Sequence, residues 1–341
     1  MPLVPRIGDD QLVAFPGSGG NPVDMRILIC CVLVAACGGK PGPEKATPAP
    51  AAPPGPPVRM FDRTLHAIDV NGTRLTYRIM GDTGAPVVFV HGTLKDLRDW
   101  SSQDNAFAQT HRVLVYSRRY HPPNPQVDDA QPYSLKLHVE DLAALLLTLD
   151  MAPAHVVGSS YGAYTALELA REHPELVRSL VLADAPIFPL LSHGETADSL
   201  GGVFYTNALD PARRAFAAGD SVAGIRAFYD AVSGGRGRFD NLPAAARADL
   251  LAHAFEMRRE MLANRRDYSP PISCAELGRV TTPVLLVRGD RSPPVFQHIT
   301  DELARCLHND TTVIIPGAGH PPHAGNPQYY NQVVLRFVMT H

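Results

Sequence analysis

The feature that most constrains the fold is a G-x-S-x-G pentapeptide at residues 158–162. It follows a short apolar segment at residues 155–158 and opens a segment with helical character at residues 161–173. Between a strand and a helix, the two glycines permit a tight, strained turn that exposes the hydroxyl of the central residue, Ser160. A free serine hydroxyl is a poor nucleophile, so Ser160 would need a base beside it. A turn merely rich in Gly and Ser is the alternative, and the flanking segments argue against it.

Segments with strand and helix character alternate along most of the chain. Short apolar or alternating runs predict strands at residues 64–70, 73–79, 87–91, 113–116, 155–158, 179–183, 282–288 and 311–315. Helical spacing predicts helices at residues 134–150, 161–173, 295–306 and 327–339. Ser134 is placed as an N-cap, and Asn71-Gly72 favours a type I′ hairpin turn. This alternation predicts an α/β fold with a mostly parallel central sheet flanked by helices.

Strand signals disappear between Ile187 and Leu277, a stretch rich in Ala and Arg with two Gly-Gly breaks. We interpret it as several helices inserted after the sixth strand, forming a lid or cap over a pocket, with a purely structural extension as the alternative. Its place at a strand end supports this, because open α/β sheets bind ligands beyond the carboxyl ends of their strands. The predicted organisation is a core at residues 59–187 and 279–341 with a helical cap at residues 188–278.

Residues 1–37 have the pattern of an N-terminal extension followed by a lipoprotein-like signal segment. An apolar run from Ile27 to Ala36 follows Met25-Arg26 and precedes Cys37. One positive charge, a short apolar region and a small-residue end are typical of a bacterial secretory signal. The tetrapeptide that ends at Cys37 resembles a lipobox, so we expect translation to begin at Met25 and Cys37 to carry lipid. A disordered tail with an accidental apolar stretch is the alternative.

Residues 38–58 form a Pro- and Ala-rich linker. Proline fixes φ and cannot donate to a strand ladder, so this segment reads as a semi-rigid, extended spacer. A spacer that holds a folded domain away from a membrane is what a lipid-anchored protein requires. Gly38 is not the aspartate that often retains lipoproteins at the inner membrane. We therefore expect a lipoprotein in the bacterial cell envelope, tethered to the outer membrane through Cys37 and facing the periplasm.

Composition excludes several classes of protein. The chain has 341 residues and a formal net charge of −3, without the concentrated basic surface that nucleic-acid binding needs. No run approaches the ~18 apolar residues of a spanning helix, which argues against a polytopic membrane protein. Fourteen histidines are present, yet none forms an H-E-x-x-H motif. We expect no nucleic-acid partner, no catalytic metal and no cofactor.

Four motifs in chain order make residues 59–341 resemble the α/β-hydrolase superfamily, capped subtype. They are His91-Gly92 after a strand, the turn at Ser160, the strand end at Asp184 and the loop at His320. The resemblance implies the α/β-hydrolase fold and the chain order nucleophile, acid, histidine. It also implies that Thr93 and Tyr161 donate backbone N–H groups to an oxyanion, where one aimed donor can contribute ~3 kcal/mol.

The resemblance places the catalytic histidine in the loop after the last strand, where His320 follows Gly317-Ala318-Gly319. His320 would take the proton of Ser160 and then return it to the leaving group. His323, three residues further on, is the competing candidate, and the spacing after the strand favours His320.

The acid departs from the common pattern. Many members of the superfamily carry it after the penultimate strand, in a stretch like G-D-x-D-P. Here that stretch is Gly289-Asp290-Arg291-Ser292-Pro293, with Ser292 at the usual acidic position. Asp184, at the end of the earlier strand, is favoured because some capped members carry their acid there, haloalkane dehalogenases among them. Asp290 is the alternative acid.

The resemblance and the serine nucleophile together narrow the reaction. Dehalogenases and epoxide hydrolases of this superfamily use an aspartate at the turn, so Ser160 argues against both. We expect a serine carboxylic-ester hydrolase that acts on small acyl substrates through a Ser-His-Asp triad and an acyl-enzyme. The alternatives are a catalytically silent binding protein, motivated by Ser292, and a serine-dependent carbon–carbon hydrolase or aminopeptidase-like enzyme. Oligomeric state is not predicted.

Two further features have open interpretations. Arg118-Arg119-Tyr120-His121 follows a strand and could line the pocket or bind an acidic substrate, while a structural ion-pair role is equally compatible. Cys274 and Cys306 are the two cysteines of the folded part. They could pair in an oxidising compartment, but two buried free thiols are favoured, because spacing alone cannot show that their Cα atoms approach.

Overall fold

The computed structural model describes residues 59–128, 130–191 and 195–341. The predicted signal segment at residues 1–37, the acylation site Cys37 and the linker at residues 38–58 lie outside this part of the chain. No helix among the described residues combines the length and apolar character needed to cross a membrane.

A single eight-stranded sheet organises the described residues. Its strands are β1 (His66–Val70), β2 (Thr73–Met80), β3 (Pro86–Val90), β4 (Arg112–Tyr116), β5 (Ala154–Ser159), β6 (Val177–Ala183), β7 (Val284–Gly289) and β8 (Asp310–Ile315). Across the sheet their order is β1-β2-β4-β3-β5-β6-β7-β8. The β1–β2 and β2–β4 pairs are antiparallel, and all pairs from β4–β3 to β7–β8 are parallel. The expected α/β-hydrolase sheet is therefore confirmed.

Helices cover both faces of the sheet and fill the segment between β6 and β7. The helices are α1 (Asp104–Ala108), α2 (Leu135–Thr148), α3 (Tyr161–Glu172), α4 (Glu195–Phe204), α5 (Asp210–Ala217), α6 (Ser221–Val232), α7 (Ala244–Leu251), α8 (Ala254–Leu262), α9 (Arg265–Tyr268), α10 (Cys274–Leu277), α11 (Pro294–Cys306), α12 (Pro322–Gly325) and α13 (Pro327–Thr340). Single 3₁₀ turns occur at Leu97–Trp100, Pro174–Leu176 and Phe188–Leu191, and a π-helical turn at Tyr205–Leu209 joins α4 to α5.

Local sequence signals predict the bounds of the core strands and helices accurately. The predicted strands and helices of the core differ from the observed bounds by at most two residues at either end. Asn71 and Gly72 have φ of 45° and 69°, the two positive values that a type I′ turn between paired strands requires. The side chain of Ser134 accepts a hydrogen bond from the N–H of Leu137, as expected of an N-cap.

The central strands of the sheet are apolar on both faces because side chains pack against them from both sides. In β3, Val88 and Val90 face the side covered by α2, α3 and the cap. Val87 and Phe89 face the opposite side, which is covered by α1 and α13. Parallel strands that are buried on both faces read as continuous apolar runs, which explains the short apolar segments of the sequence.

The cap, residues 188–278, contains helices α4 to α10 and no strand among its described residues. It enters and leaves the core between β6 and β7, two neighbouring parallel strands. It therefore lies beyond the carboxyl ends of the strands, where the functional side chains of such a sheet are found.

The preference for two free thiols was wrong, since Cys274 and Cys306 form a disulfide with a Cα–Cα separation of 4.9 Å. Cys274 begins α10, just before β7, and Cys306 ends α11, just after it. The two cysteines are 32 residues apart in the chain. Strand β7 and helix α11, which runs back beside it, bring them together. The proximity of the two cysteines depends on how the surrounding helices and strand pack, so their spacing in the sequence alone could not predict it.

Candidate active site

Ser160 occupies a sharp turn between β5 and α3. Its φ of 52° and ψ of −126° are rarely adopted by residues other than glycine. Its N–H donates to the carbonyl oxygen of Ala183 over 2.8 Å, which ties the turn to the end of β6. A Cβ at Gly158 would lie 2.5 Å from the Cα of Ala163, and one at Gly162 would lie 2.1 Å from the carbonyl oxygen of Val90. The sequence therefore needs both glycines of the pentapeptide to make this turn.

His320 and Asp184 contact each other at the same edge of the sheet. Nδ1 of His320 lies 3.1 Å from Oδ2 of Asp184, and the two side chains are 7% and 0% exposed. Asp184 follows β6 with a φ of 46°, and its N–H donates to the carbonyl oxygen of Val287 in β7. The ring of Phe296 stacks on the imidazole of His320 at 4.4 Å. A carboxylate and an aromatic face together fix the orientation of the histidine.

Ser292, at the usual acidic position, and Asp290, the alternative acid, have different partners. Oγ of Ser292 donates to Oδ2 of Asp184 over 2.7 Å and accepts from the N–H of Gly289 over 3.0 Å. Asp290 is exposed, and its Oδ2 accepts from the N–H of Gly317 over 2.9 Å. The structure therefore brings Asp184, and not Asp290, to His320, while Asp290 supports the loop that carries His320.

Thr93 and Tyr161, the two expected oxyanion donors, are both close in sequence to residues of the Ser160 turn or in contact with it. Tyr161 is the first residue of α3, directly after Ser160. Gly92 packs against the turn from β3, since a Cβ there would lie 3.5 Å from Oγ of Ser160. Within the described part of the chain, neither the Thr93 nor the Tyr161 N–H group has a hydrogen-bond acceptor. Two unpaired donors are therefore available near the serine, one after β3 and one after β5.

His91 is a structural residue of the same region. Its Nδ1 donates to the carbonyl oxygen of Gly92 over 2.9 Å, and its Nε2 accepts from the N–H of Arg118 over 2.9 Å. Burial, together with the charge of Arg118, lowers the pKa of His91 to about 3, so the ring is neutral. This neutral form has one donor and one acceptor, and both are satisfied.

His323 has no contact with Asp184. Its Nε2 lies 3.1 Å from Oδ2 of Asp99, and its ring stacks on Trp100 at 4.2 Å. The charge of His323 acts against burial to hold the pKa of Asp99 well below its usual range. His323 therefore fastens the loop before α13 to the turn that ends at Trp100, which leaves His320 as the histidine of the site.

The arginines after β4 have structural partners. Nε of Arg119 donates to Oδ2 of the buried Asp141 over 2.7 Å. The Arg118 guanidinium is buried, donates to the carbonyl oxygens of His91 and Gly92 over 2.9 and 3.2 Å, and lies 5.2 Å from the centre of the Tyr161 ring. Both arginines therefore make structural contacts next to the site. The geometry supports the ion-pair interpretation of this segment.

Two buried glutamates on α8 of the cap were missed by sequence reasoning. Glu260 accepts from Oγ1 of Thr93, and Glu256 accepts from the N–H of Leu94. Burial raises the pKa of both carboxyls, and the charge of Arg118 opposes this rise. One signal could have identified them. They lie four residues apart among Met257 and Met261, so acidic side chains interrupt the apolar face of the helix.

Two groups of described residues have donor atoms close enough to share a metal ion. His121, His253 and Glu256 are buried, with ligand atoms within 4.8 Å of one another, and Glu140, Glu172 and His173 form the second, more exposed group. In the buried group, Nε2 of His121 lies 3.4 Å from Oε2 of Glu256. Arg118 already places a positive charge beside these residues, with Glu260 to balance it. The positive charge of Arg118 therefore makes this buried group a less favourable place for a dication.

A cavity of about 400 Å³ opens beside His320. Its described lining combines the loop of His320 with the cap, and includes Arg238 and Arg291 but no acidic residue. Two larger cavities, of about 830 and 800 Å³, are lined by neither Ser160, Asp184 nor His320. Of these three cavities the smallest is the one lined by His320, and Ser160 lines none of them.

The chain is similar in sequence and in fold to several known proteins. Residues 87–333 match the profile described as the alpha/beta hydrolase family. Mouse sn-1-specific diacylglycerol lipase is 29% identical over 293 residues, which cover 79% of this chain and 87% of the mouse protein. The 2-(acetamidomethylene)succinate hydrolase of Mesorhizobium japonicum is 24% identical over 289 residues, which cover 80% of this chain and 94% of that protein. The crystal structure of a thermophilic esterase from Thermogutta terrifontis superimposes with a TM-score of 0.63 at 20% identity, over 81% of this chain and 98% of the esterase.

Proposed function

This chain belongs to the alpha/beta hydrolase family, and we propose that it is a serine-dependent hydrolase of small carboxylic esters. One observation carries the proposal. Asp184 and His320 are in contact at the sheet edge where Ser160 sits in a strained turn. The N–H of Ser160 is bonded to Ala183, the residue before Asp184. An oriented base and a buried acid at the same sheet edge as this serine support its activation as a nucleophile.

The proposed reaction begins when His320 takes the proton from Oγ of Ser160 through Nε2, while Oγ attacks the ester carbonyl carbon. Asp184 holds the Nδ1 proton and stabilises the imidazolium. The N–H groups of Thr93 and Tyr161 receive the negative charge that develops on the carbonyl oxygen. His320 returns the proton to the alcohol as it leaves, and an acyl-Ser160 remains. Water, activated by the same histidine, then releases the acid.

The substrate class follows from the nucleophile and the relatives. A serine at this turn suits acyl transfer, and the named relatives include a diacylglycerol lipase and a hydrolase of a succinate derivative. The binding-protein alternative depended on the missing acid at Ser292. The contact between Asp184 and His320 supplies an acid from β6 instead and supports catalysis over binding alone.

Hydrolysis of p-nitrophenyl acetate and butyrate tests this proposal, with Ser160→Ala as the paired variant. We expect release of p-nitrophenol by the wild type and none above background by the variant. Equal rates for the two proteins would contradict the serine mechanism. A wild type that reacts with fluorophosphonates but spares these esters would favour the carbon–carbon or peptide alternatives.

We also propose that the hydrolase is a lipoprotein of the cell envelope, anchored through Cys37. The apolar run before Cys37, the lipobox-like tetrapeptide and the Pro-rich linker support this. Mass spectrometry of the envelope-associated protein should find an acylated N-terminal Cys37. Unmodified Cys37 with residues 1–36 still attached would contradict the anchor, and Cys37→Ala should release the protein from membranes if the anchor is correct.

A further inference from the structure

Helix α8 of the cap holds the 91–94 loop, the segment from His91 to Leu94, with two buried carboxylates. Oε1 of Glu260 accepts from Oγ1 of Thr93 over 2.8 Å, and Oε1 of Glu256 accepts from the N–H of Leu94 over 3.0 Å. The glutamates are 2% and 0% exposed. Because they are four residues apart, they project from one face of the helix. Two consecutive residues of the loop are thus fixed by one face of one cap helix.

The backbone of the loop needs such support. Leu94 has a φ of 57°, a left-handed conformation that is unfavourable for a bulky residue. Strained conformations of this kind persist only where surrounding contacts over-determine them, and they cluster at functional sites. The hydrogen bond from Leu94 to Glu256 is one such contact, and it lies one residue from the Thr93 N–H group.

Packing alone does not account for buried carboxylates. Taking a carboxylate out of water is costly unless it is paired and hydrogen bonded, and an apolar side chain would cover the core at lower cost. The carboxylate of Glu260 is matched by the charge of Arg118 and by the hydroxyl of Tyr133, which donates over 3.2 Å. The same Arg118 donates to the carbonyl oxygens of His91 and Gly92. The charged groups therefore converge on the loop from both the core and the cap.

We propose that Glu260 and Glu256 are positioning residues that set the Thr93 N–H group for the oxyanion, so that this donor is in place only while α8 is docked. This inference rests on the proposed serine hydrolase function. According to this proposal the cap contributes to the oxyanion site. The conformation of the 91–94 loop then depends on the contacts that α8 makes with it.

The Thr93→Val variant isolates the contact, because valine keeps the shape of threonine and removes only the hydroxyl that Glu260 accepts from. We expect kcat to fall by about 10- to 100-fold with KM little changed, because a displaced donor weakens the transition state selectively. Affinity for a trifluoromethyl ketone, which forms the oxyanion on Ser160, should fall in the same proportion. Thr93→Ser restores the hydroxyl and should recover most of the rate. Glu260→Ala should reproduce Thr93→Val, and the double variant should lose little more than either single variant.

Met257→Ala is the matched control for cap stability. Met257 is buried on the same helix and makes its contribution through apolar packing. It should lower the melting temperature at least as much as Glu260→Ala while keeping most of kcat. Equal losses of kcat in Met257→Ala and Glu260→Ala at equal destabilisation would overturn the proposal, as would Thr93→Val with wild-type kcat and inhibitor affinity.

Hydrogen–deuterium exchange of the 91–94 loop provides a readout that does not need activity. Glu256→Ala should speed exchange of the Leu94 amide, whereas Met257→Ala should leave it near the wild-type rate. Unchanged exchange in Glu256→Ala would overturn the positioning role. A wild type without Ser160-dependent chemistry would instead overturn the proposed function, so the two failures are distinguishable.

Discussion

Oγ of Ser292 donates to Oδ2 of Asp184, the same oxygen that lies 3.1 Å from Nδ1 of His320. Ser292 occupies the place where the resemblance leads one to expect an acid. In this chain the position supplies a hydrogen-bond donor, and the carboxylate comes from the neighbouring strand end. The serine hydroxyl is itself oriented, because it accepts from the N–H of Gly289. In the proposed triad the acid therefore lies one strand away from the position of Ser292, and His320 is in the loop where the resemblance places the histidine.

Asp184→Asn should abolish most of the activity. The amide cannot stabilise the imidazolium of His320 and can present its NH₂ group to Nδ1, so we expect kcat to fall by about 10⁴-fold. Asp290→Asn should keep activity within a few-fold, since Asp290 supports the backbone of the loop at Gly317. Steady-state kinetics of both variants with one ester decides between them. An active Asp184→Asn with an inactive Asp290→Asn would show that the acid is Asp290.

An acid placed at Ser292 should partly replace Asp184. We expect Asp184→Asn/Ser292→Asp to be more active than Asp184→Asn, because the new carboxylate lies beside the oxygen that faced His320. Ser292→Asp alone should be impaired, because two adjacent carboxylates disfavour ionisation of both and one retains a proton. The comparison requires kcat/KM for the three variants at one pH. A double variant no better than Asp184→Asn would argue against this geometry.

Buried His155 should make the folded state sensitive to acid. Burial, with the neighbouring His111, lowers its pKa to about 4, and its Nδ1 contacts Oγ of Ser179 over 2.7 Å. Below its ordinary pKa of about 6.5 the unfolded chain binds a proton that the folded chain does not, so stability falls as pH decreases from about 6.5 to about 4.

Urea denaturation at about pH 7.5 and about pH 5 measures this effect. The midpoint should drop with acid in the wild type and drop less in His155→Asn, whose amide can keep the contact with Ser179 without the titration. His66→Asn, at an exposed histidine, is the control and should leave the pH dependence unchanged. The same loss of stability with acid in His155→Asn and wild type would show that His155 does not contribute.

The cavity beside His320 should favour esters that carry a carboxylate. Arg238 and Arg291 line it, and neither guanidinium has an ion pair or hydrogen bond with any residue that the structure describes. Monomethyl succinate should be hydrolysed faster than methyl 4-methylpentanoate, a neutral ester of similar shape. Two solvent-facing charge pairs at ~0.5–1 kcal/mol each correspond to roughly a tenfold difference in kcat/KM.

Substitution of the arginines tests the origin of this preference. Arg238→Gln and Arg291→Gln should each reduce the advantage of the charged ester, and added salt should reduce it in the wild type. Arg236→Gln is the control, since Arg236 lines a different cavity. A preference for the neutral ester, or one untouched by either substitution, would contradict the role of the two arginines.

Local patterns were enough for much of the fold and part of the site. The Asn71-Gly72 turn, the cap at Ser134 and the strained turn at Ser160 depend on neighbours within a few residues, and all three occur where the sequence predicts them. Contacts between distant residues could not be predicted in this way. Ser292 meets Asp184 across 108 residues, and Glu260 meets Thr93 across 167.

The disulfide shows the same limit at shorter range. Cys274 and Cys306 are 32 residues apart, and their approach depends on how α10 and α11 pack around β7. A single sequence shows which residue types are available for such contacts. It does not show which residues come into contact. The resemblance narrowed the acid to Asp184 or Asp290 and favoured Asp184. Which of the two lies beside His320 depends on long-range packing that the sequence does not specify.

Mass-spectrometric mapping of a fluorophosphonate adduct tests the central claim most directly. A fluorophosphonate reacts with a serine that is activated by a base and held beside oxyanion donors. We predict one phosphonate per chain, on the peptide that contains Ser160, with much slower labelling of His320→Ala and Asp184→Asn and none of Ser160→Ala. No adduct on the folded wild-type protein, or an adduct that persists in Ser160→Ala, would contradict the assignment of Ser160 as the nucleophile.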